Sequence, residues 1–209
     1  DVLDIGTPSD GTVVTAKMQD AAVTTAKLAS SLDLSGKTVT YGLTDSDMPS
    51  GSVLQMVENT RVHSQDITTT SASFVDTTLV TGVITPVSAG SKIAVRITGF
   101  VPHVNATNNR GVVWQMFKSV NGGTYVKVTA GDLDGGFYQD AAGSWYDITG
   151  YCSVFDTPTY TLGQAINYKL YFRKDHANAG GAYINHTGGL LQGGATTITS
   201  SITMTEIKG

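Results

Sequence analysis

From about residue 51 onward, apolar side chains recur at every second position. This is the feature that most restricts what the chain can fold into. In "SKIAVRITGFV" Ile93, Val95 and Ile97 share one face, and Lys92, Ala94, Arg96 and Thr98 the other. "INYKLYFRK" sets Ile166, Tyr168, Leu170 and Phe172 inward. "SWYDITGYCSVF" sets Tyr146, Ile148, Cys152 and Val154 inward, with Trp145, Asp147, Thr149 and Tyr151 outward. "TTITSSITMTEI" closes the chain with Ile198, Ile202 and Met204 on one face. A period of two is the period of a half-buried strand, because successive side chains leave a pleated backbone on opposite sides. Gly, Asn, Asp and Pro separate the runs, as turns require. About eight to ten strands are expected. No stretch beyond residue 50 has the spacing of a long amphipathic helix. The expected fold is all-β, an antiparallel β-sandwich of jelly-roll type.

One strand departs from the pattern. "GVVWQMFKS" is apolar on both faces, with Val112, Trp114 and Met116 on one and Val113 and Phe117 on the other. A strand apolar on both faces is covered on both. In a two-layer sandwich the second cover is expected from another copy of the chain, which makes Val113 and Phe117 candidate interface residues.

Residues 1–50 are of another kind. They hold no Trp or Phe and one Tyr, Tyr41. "GTVVTAKMQDAAVTTAKLAS" repeats itself with an offset of ten: Val13 matches Val23, Ala16 matches Ala26, and Lys17 matches Lys27. Such a segment buries too little apolar surface to offset its own ordering entropy. It is either ordered by neighbouring chains or disordered. Val14, Met18, Ala21, Thr25, Leu28 and Leu32 fall at heptad spacing, though Ala21 and Thr25 fill a seam poorly. A ten-residue unit of extended chain plus a helical turn, capped by Thr15 or Thr25, fits the repeat better. Val14, Met18, Leu28 and Leu32 are the candidate contacts between chains. "SDMPSGSV" then reads as a linker. The chain divides into an oligomerisation segment at 1–50 and a head at 51–209. Beginning at Asp1, it reads as part of a longer protein or a processed product.

Composition narrows the function. Charged residues make up only 14% and the net charge is −4, which gives no basic footprint for nucleic acid. No apolar run approaches membrane-spanning length, so no membrane insertion is expected. The single cysteine, Cys152, excludes an internal disulfide and favours synthesis in a cytosol. On an inward position it reads as a small buried hydrophobe.

Catalytic patterns are scarce. Asp132, Asp134, Asp140 and Asp147 cluster in "GDLDGGFYQDAAGSWYD". Two carboxyls could flank a glycosidic bond. Asp134-Gly135 is also ordinary turn chemistry, the reading favoured here. The stretch fails the calcium-loop template for want of a third acidic position and a closing Glu. His63, His103, His176 and His186 form no metal-binding pattern, though His176 or His186 could meet its counterparts on a three-fold axis. Asn105 and Asn185 match the glycosylation sequon. No catalytic residue, cofactor or metal is assigned. The Asp cluster is interleaved with aromatic residues. Tyr138, Asp140, Trp145 and Tyr151 are the candidate glycan-binding set, since rings cover sugar C–H faces while polar groups take hydroxyls. Burial at a subunit interface is the competing role for those rings.

Several of these stretches resemble one family. The repeat is similar to the TAK-type repeats of bacteriophage tail-fibre proteins, marine ones especially. "PSGSVLQMVE", "VITPVSAGSKIAVRITG", "INYKLYFR", "AYIN" and "SSITMTEIKG" resemble the C-terminal domain of the same proteins. Ala21 departs from the Gly often found at its place in such repeats, and "HANAGGAYINHTGGLLQGGATT" is a long Gly-rich insertion. The resemblance implies a homotrimeric fibre on a virion, made in the host cytoplasm. Its stalk would lead to a β-rich head that attaches reversibly to a bacterial cell-surface glycan or protein receptor. Its other partners would be virion tail or capsid proteins. A capsid-borne fibre or decoration protein, a glycan depolymerase and a monomeric cellular lectin are the alternatives.

Overall fold

The computed structural model describes residues 44–64, 67–104, 110–139, 148–175, 181–185 and 197–209. Two units separate, Asp1–Gly42 and Leu43–Gly209, and every described residue belongs to the second. The ten-residue repeat, its seam (Val14, Met18, Leu28, Leu32) and the Asp33–Gly42 strand lie outside the described residues. So do Asn105, Asp140, Trp145, Tyr146, Asp147, His176 and His186.

The second unit is all-β. After a 3-10 turn at Asp45–Asp47 come β1 (Val53–His63), β2 (Ile67–Thr69), β3 (Val75–Ile84), β4 (Lys92–Phe100), β5 (Pro102–Val104) and β6 (Arg110–Val120). They are followed by β7 (Val126–Lys127), β8 (Gly135–Gln139), β9 (Gly150–Asp156), β10 (Ile166–Lys174), β11 (Ala182–Ile184) and β12 (Ile198–Ile207). The eight longer strands form two antiparallel sheets. The first runs β1-β12-β4-β9, and the second runs β3-β10-β6 with β7 and β8 both on the far edge of β6. β2, β11 and β5 make a small third sheet from three of the connections between the large ones.

The core is the set of inward alternating positions. Ile93, Ile97, Ile166, Tyr168, Leu170, Phe172, Ile202 and Met204 are fully buried. Each such side chain contributes about 1.5–3 kcal/mol of hydrophobic stabilisation. Val95, Cys152 and Val154 complete the same faces.

Ile148 does not follow the expectation. It is 45% exposed, because β9 begins only at Gly150. There the β4–β9 register shifts, between Thr98 and Phe100. Ile148 shares the inward phase of Gly150 and Cys152 but precedes the strand, and Thr149 beside it is exposed as well, so alternation no longer governs that stretch.

Polar side chains close both open edges of the sandwich. On one side Gln55, Asn59 and Arg61 of β1 donate to the carbonyls of Thr85, Thr81 and Thr78 at 2.7–2.9 Å. β3 bulges opposite Leu170, between its pairings at Asp76 and Thr81, and Thr78 takes a φ of 51° there. On the other side Trp114 Nε1 donates to the Tyr151 carbonyl at 3.2 Å, and Phe100 meets the Trp114 ring edge-on at 5.3 Å. Lys118 and Tyr168 both reach the buried Asp156 carboxylate, at 2.6 and 2.8 Å.

Strand directions give the head two unlike poles. At one, Gly51 N–H donates to the Lys208 carbonyl and Lys208 N–H to the Ser52 carbonyl, both at 2.9 Å. The start and the end of the sandwich are therefore laced together. The opposite pole carries the small sheet and the strand ends Phe100, Arg110, Gln139, Gly150, Lys174 and Ile198.

Candidate functional site

Of the acidic cluster, Asp134 serves the backbone. The Asp134 carboxylate accepts Met116 N–H at 2.7 Å and the Thr129 hydroxyl, while Asp134 N–H donates to the Trp114 carbonyl. It fills the gap that β7 and β8 leave along β6, capping backbone groups that no strand reaches. Beside it the Gln115 amide donates to Gly131 at 2.6 Å and Thr129 at 3.1 Å, so the 128–134 segment covers that part of β6. Asp134 also lies 3.9 Å from Cys152 Sγ. Burial, with the Asp134 charge second, pushes the Cys152 thiol up to about 12. A thiol so hard to ionise is no nucleophile.

The other buried acids are also occupied. Glu206, fully buried, accepts Gln55 Nε2 at 2.6 Å, Ser91 Oγ at 2.7 Å, and the N–H groups of Val87 and Ser88 at 3.0–3.1 Å. Burial pushes its carboxyl up. The hydrogen bonds together outweigh that and hold it below its ordinary value. Tyr168 is pushed far above its ordinary value by burial and by Asp156.

Of the four candidate glycan residues, Tyr138 and Tyr151 are described, 51% and 68% exposed. They do not converge. Tyr138 alternates with the inward Phe137 on the second sheet, and Tyr151 alternates with the inward Cys152 on the first. The two rings lie on opposite outer faces of the sandwich.

The candidate interface pair on β6 also has company within its own chain. Val113 is only 5% exposed. Phe117 stacks on Tyr171 at 4.2 Å and tilts against Phe74 at 5.8 Å. Lys127 and Arg173 lie over Phe74, and Lys169 lies over Tyr125 while pairing with Asp76 at 2.7 Å. These cation–π contacts close the cluster over itself.

His63 and His103 are buried. His63 is held below its ordinary value by desolvation, with its Nε2 unpartnered. Asn185 is fully buried and accepts Val101 N–H at 2.8 Å, so its sequon amide is spent inside the fold. No group of three or more His, Cys, Asp or Glu capable of holding a metal occurs among the described residues. Nor is any helix among them long and apolar enough to cross a membrane.

The surface that sequence reasoning missed is the outer face of the first sheet. An open depression of about 380 Å³ lies there, lined by Ala94, Arg96, Ser153, Phe155, Thr203 and Thr205. Phe155 is 71% exposed and Met56, on the far edge strand, 69%. Both stand at outward phases of their strands. That was a legible signal, since an apolar residue out of phase is either wasted or covered by something else. Hydroxyls fill the middle of the face, where Thr98 and Ser201 meet at 3.0 Å.

No family model and no curated protein matches the chain. Fourteen solved chains do match. One belongs to a structure titled "Structure of infectious bursal disease virus Gx strain", at 14% identity and a TM-score of 0.35. The alignment covers 83% of this chain and 47% of that one, so the chain spans about half the length of the solved chain it matches.

Proposed function

We propose that the chain is a homotrimeric virion fibre protein whose β-sandwich head attaches reversibly to a host cell surface, with a glycan as the ligand class. The finer fold is a jelly roll. Eight strands divide between two sheets in the orders β1-β12-β4-β9 and β3-β10-β6-β8, an arrangement that suits two nested Greek keys. Residues 1–50 form the intertwined repeat stalk with short helical turns.

The observation that carries this reading is the polarity of the head. Its first and last strands are laced at one pole through Gly51, Ser52 and Lys208. At the other pole lie the small sheet and the strand ends Phe100, Arg110, Gln139, Gly150, Lys174 and Ile198. A head whose first and last strands meet at one pole leaves the other pole for binding, and three copies raise weak single-site affinity by avidity. Binding rather than glycan cleavage is supported by the use of Asp134, Asp156 and Glu206 as hydrogen-bond acceptors inside the fold.

Light scattering on the purified chain should return about three times its 21.9 kDa. Labelled protein should bind susceptible bacterial cells, and periodate oxidation of the cell-surface sugars should abolish that binding. A single-chain mass refutes the trimer. Binding that survives periodate but not protease replaces the glycan with a protein receptor. New reducing ends released from host polysaccharide make the protein a depolymerase.

A further inference from the structure

The outer face of the first sheet has an unusual distribution of side chains. Its two edge strands carry the apolar residues: Met56 and Val62 on β1, 69% and 61% exposed, and Tyr151 and Phe155 on β9, 68% and 71% exposed. Its two middle strands carry Thr199, Ser201, Thr203 and Thr205 on β12 and Ala94, Arg96 and Thr98 on β4, with Ile207 and Lys92 at one end. Glu58, outward on β1, completes the charges near the centre. Neither Glu58 nor Arg96 has a hydrogen bond or ion pair among the described residues.

We propose that this face is the contact between three copies of the chain, with the β1 edge of one copy docked on the β9 edge of the next. The inference rests on the trimer reading above and assigns its surface within the head.

The distribution excludes a simpler pairing. Two such faces laid flat on each other would put hydroxyls at the centre and rings at the rim, the reverse of a stable interface. In a ring of three the contact is heterologous, edge on edge, and the middle strands line a polar channel along the axis. The depression beside Phe155 is then part of that channel wall.

Register supplies the second argument. A three-fold rotation moves a residue around the axis without changing its height. With the strands set along that axis, a cross-strand row lies at one height, and its residues meet their row-mates in the neighbouring copy. Met56 pairs with Thr205, Thr205 with Ala94, and Ala94 with Phe155, so Met56 and Phe155 share a row. A thioether against a ring edge is a favourable contact. Glu58, Thr203, Arg96 and Ser153 form the adjacent row of equivalent phase. The unpaired carboxylate on the β1 side and the unpaired guanidinium toward the β9 side are thus at one height, set to pair across the contact.

The test is an engineered disulfide in the full chain, Met56→Cys with Phe155→Cys. Within one copy these positions are three strands apart, roughly 14 Å, beyond the span of any disulfide. A bond between them must join two copies. Both sites are exposed, and native Cys152, 1% exposed, stays out of the reaction. The expected result is a three-chain mass for the wild type and a covalent trimer for the oxidised double variant, reverting to single chains in reductant. A wild-type trimer whose variant thiols remain free overturns the face assignment and leaves the fibre reading standing. A covalent product that stops at the dimer overturns the three-fold arrangement. A single-chain wild-type mass overturns the trimer reading itself.

Discussion

Replacing Glu206 by Gln tests whether the head is held by a buried carboxylate rather than by its apolar core alone. Glu206 occupies an inward position of β12 after Ile202 and Met204, and it is fully buried. One carboxylate oxygen takes Val87 N–H, Ser88 N–H and the Ser91 hydroxyl, and the other takes Gln55 Nε2 and shares Val87 N–H. A Gln amide can place its oxygen on the Val87–Ser88–Ser91 side, where those bonds survive without charge assistance. Its NH2 then opposes Gln55 Nε2, a second donor. Gln55 must turn its amide over, losing its bond to the Thr85 carbonyl. Losing charge assistance and one partnered amide costs about 2–4 kcal/mol, taking a charged hydrogen bond as ~1.5–3 and a neutral one as ~1. Against a total stability of about 5–15 kcal/mol this is a large fraction. With a urea slope of about 2 kcal/mol/M, the unfolding midpoint should fall by about 1–2 M.

The acid limb carries the sign. The folded carboxyl is held below its unfolded value, so its contribution is complete above the unfolded pKa of about 4.3 and is lost as pH falls through the folded pKa. The gap between wild type and Glu206→Gln should be widest near neutrality and should narrow as pH drops below about 5. Urea titrations followed by tryptophan fluorescence at pH 7, 5, 4 and 3 measure both quantities. A midpoint shift under about 0.3 M at pH 7, or a gap that widens in acid, would refute the reasoning.

Other perturbations follow from the same packing. Asp156→Ala leaves Lys118 and Tyr168 without their shared buried acceptor, so chemical denaturation should show a loss of about 3–5 kcal/mol. Gly150→Ala puts a Cβ 2.2 Å from the Phe100 ring, whereas at Gly82 the added Cβ meets the flexible end of Met204 at 2.5 Å. Melting curves should therefore show Gly150→Ala the more damaging of the two, at about 2–3 kcal/mol. Cys152, 1% exposed and pushed up to about 12, should resist a thiol reagent at pH 8 and react in full once urea unfolds the head. Rapid labelling of the native protein would contradict both its burial and the role of Asp134 beside it.

The inward sets of β4, β10 and β12 were legible from the period of two, since a pleated strand allows no other arrangement of Ile93, Val95 and Ile97, or of Ile166 to Phe172. Cys152 and Val154 followed by the same rule. The rule failed at Ile148, which has the inward phase but lies before β9 begins at Gly150. Glu206 and Asp156 were not singled out, although both are acids at inward phases, and the sequence did not show which donors would reach them. Those donors come from the 85–91 connection, β1, β6 and β10. Likewise Tyr138 and Tyr151 looked like neighbours in one aromatic stretch, and the crossing from β8 to β9 sent them to opposite faces.

Sequence alone determined the strands and most of their buried faces, because alternation is a local property of each backbone segment. Tertiary structure alone decided which strands adjoin. It brought residues about a hundred apart, Met56 and Phe155, into one cross-strand row, and it set Glu58 and Arg96 together in another. Pairing order depends on burying all the apolar faces of the chain at once, and no single stretch of residues carries that information.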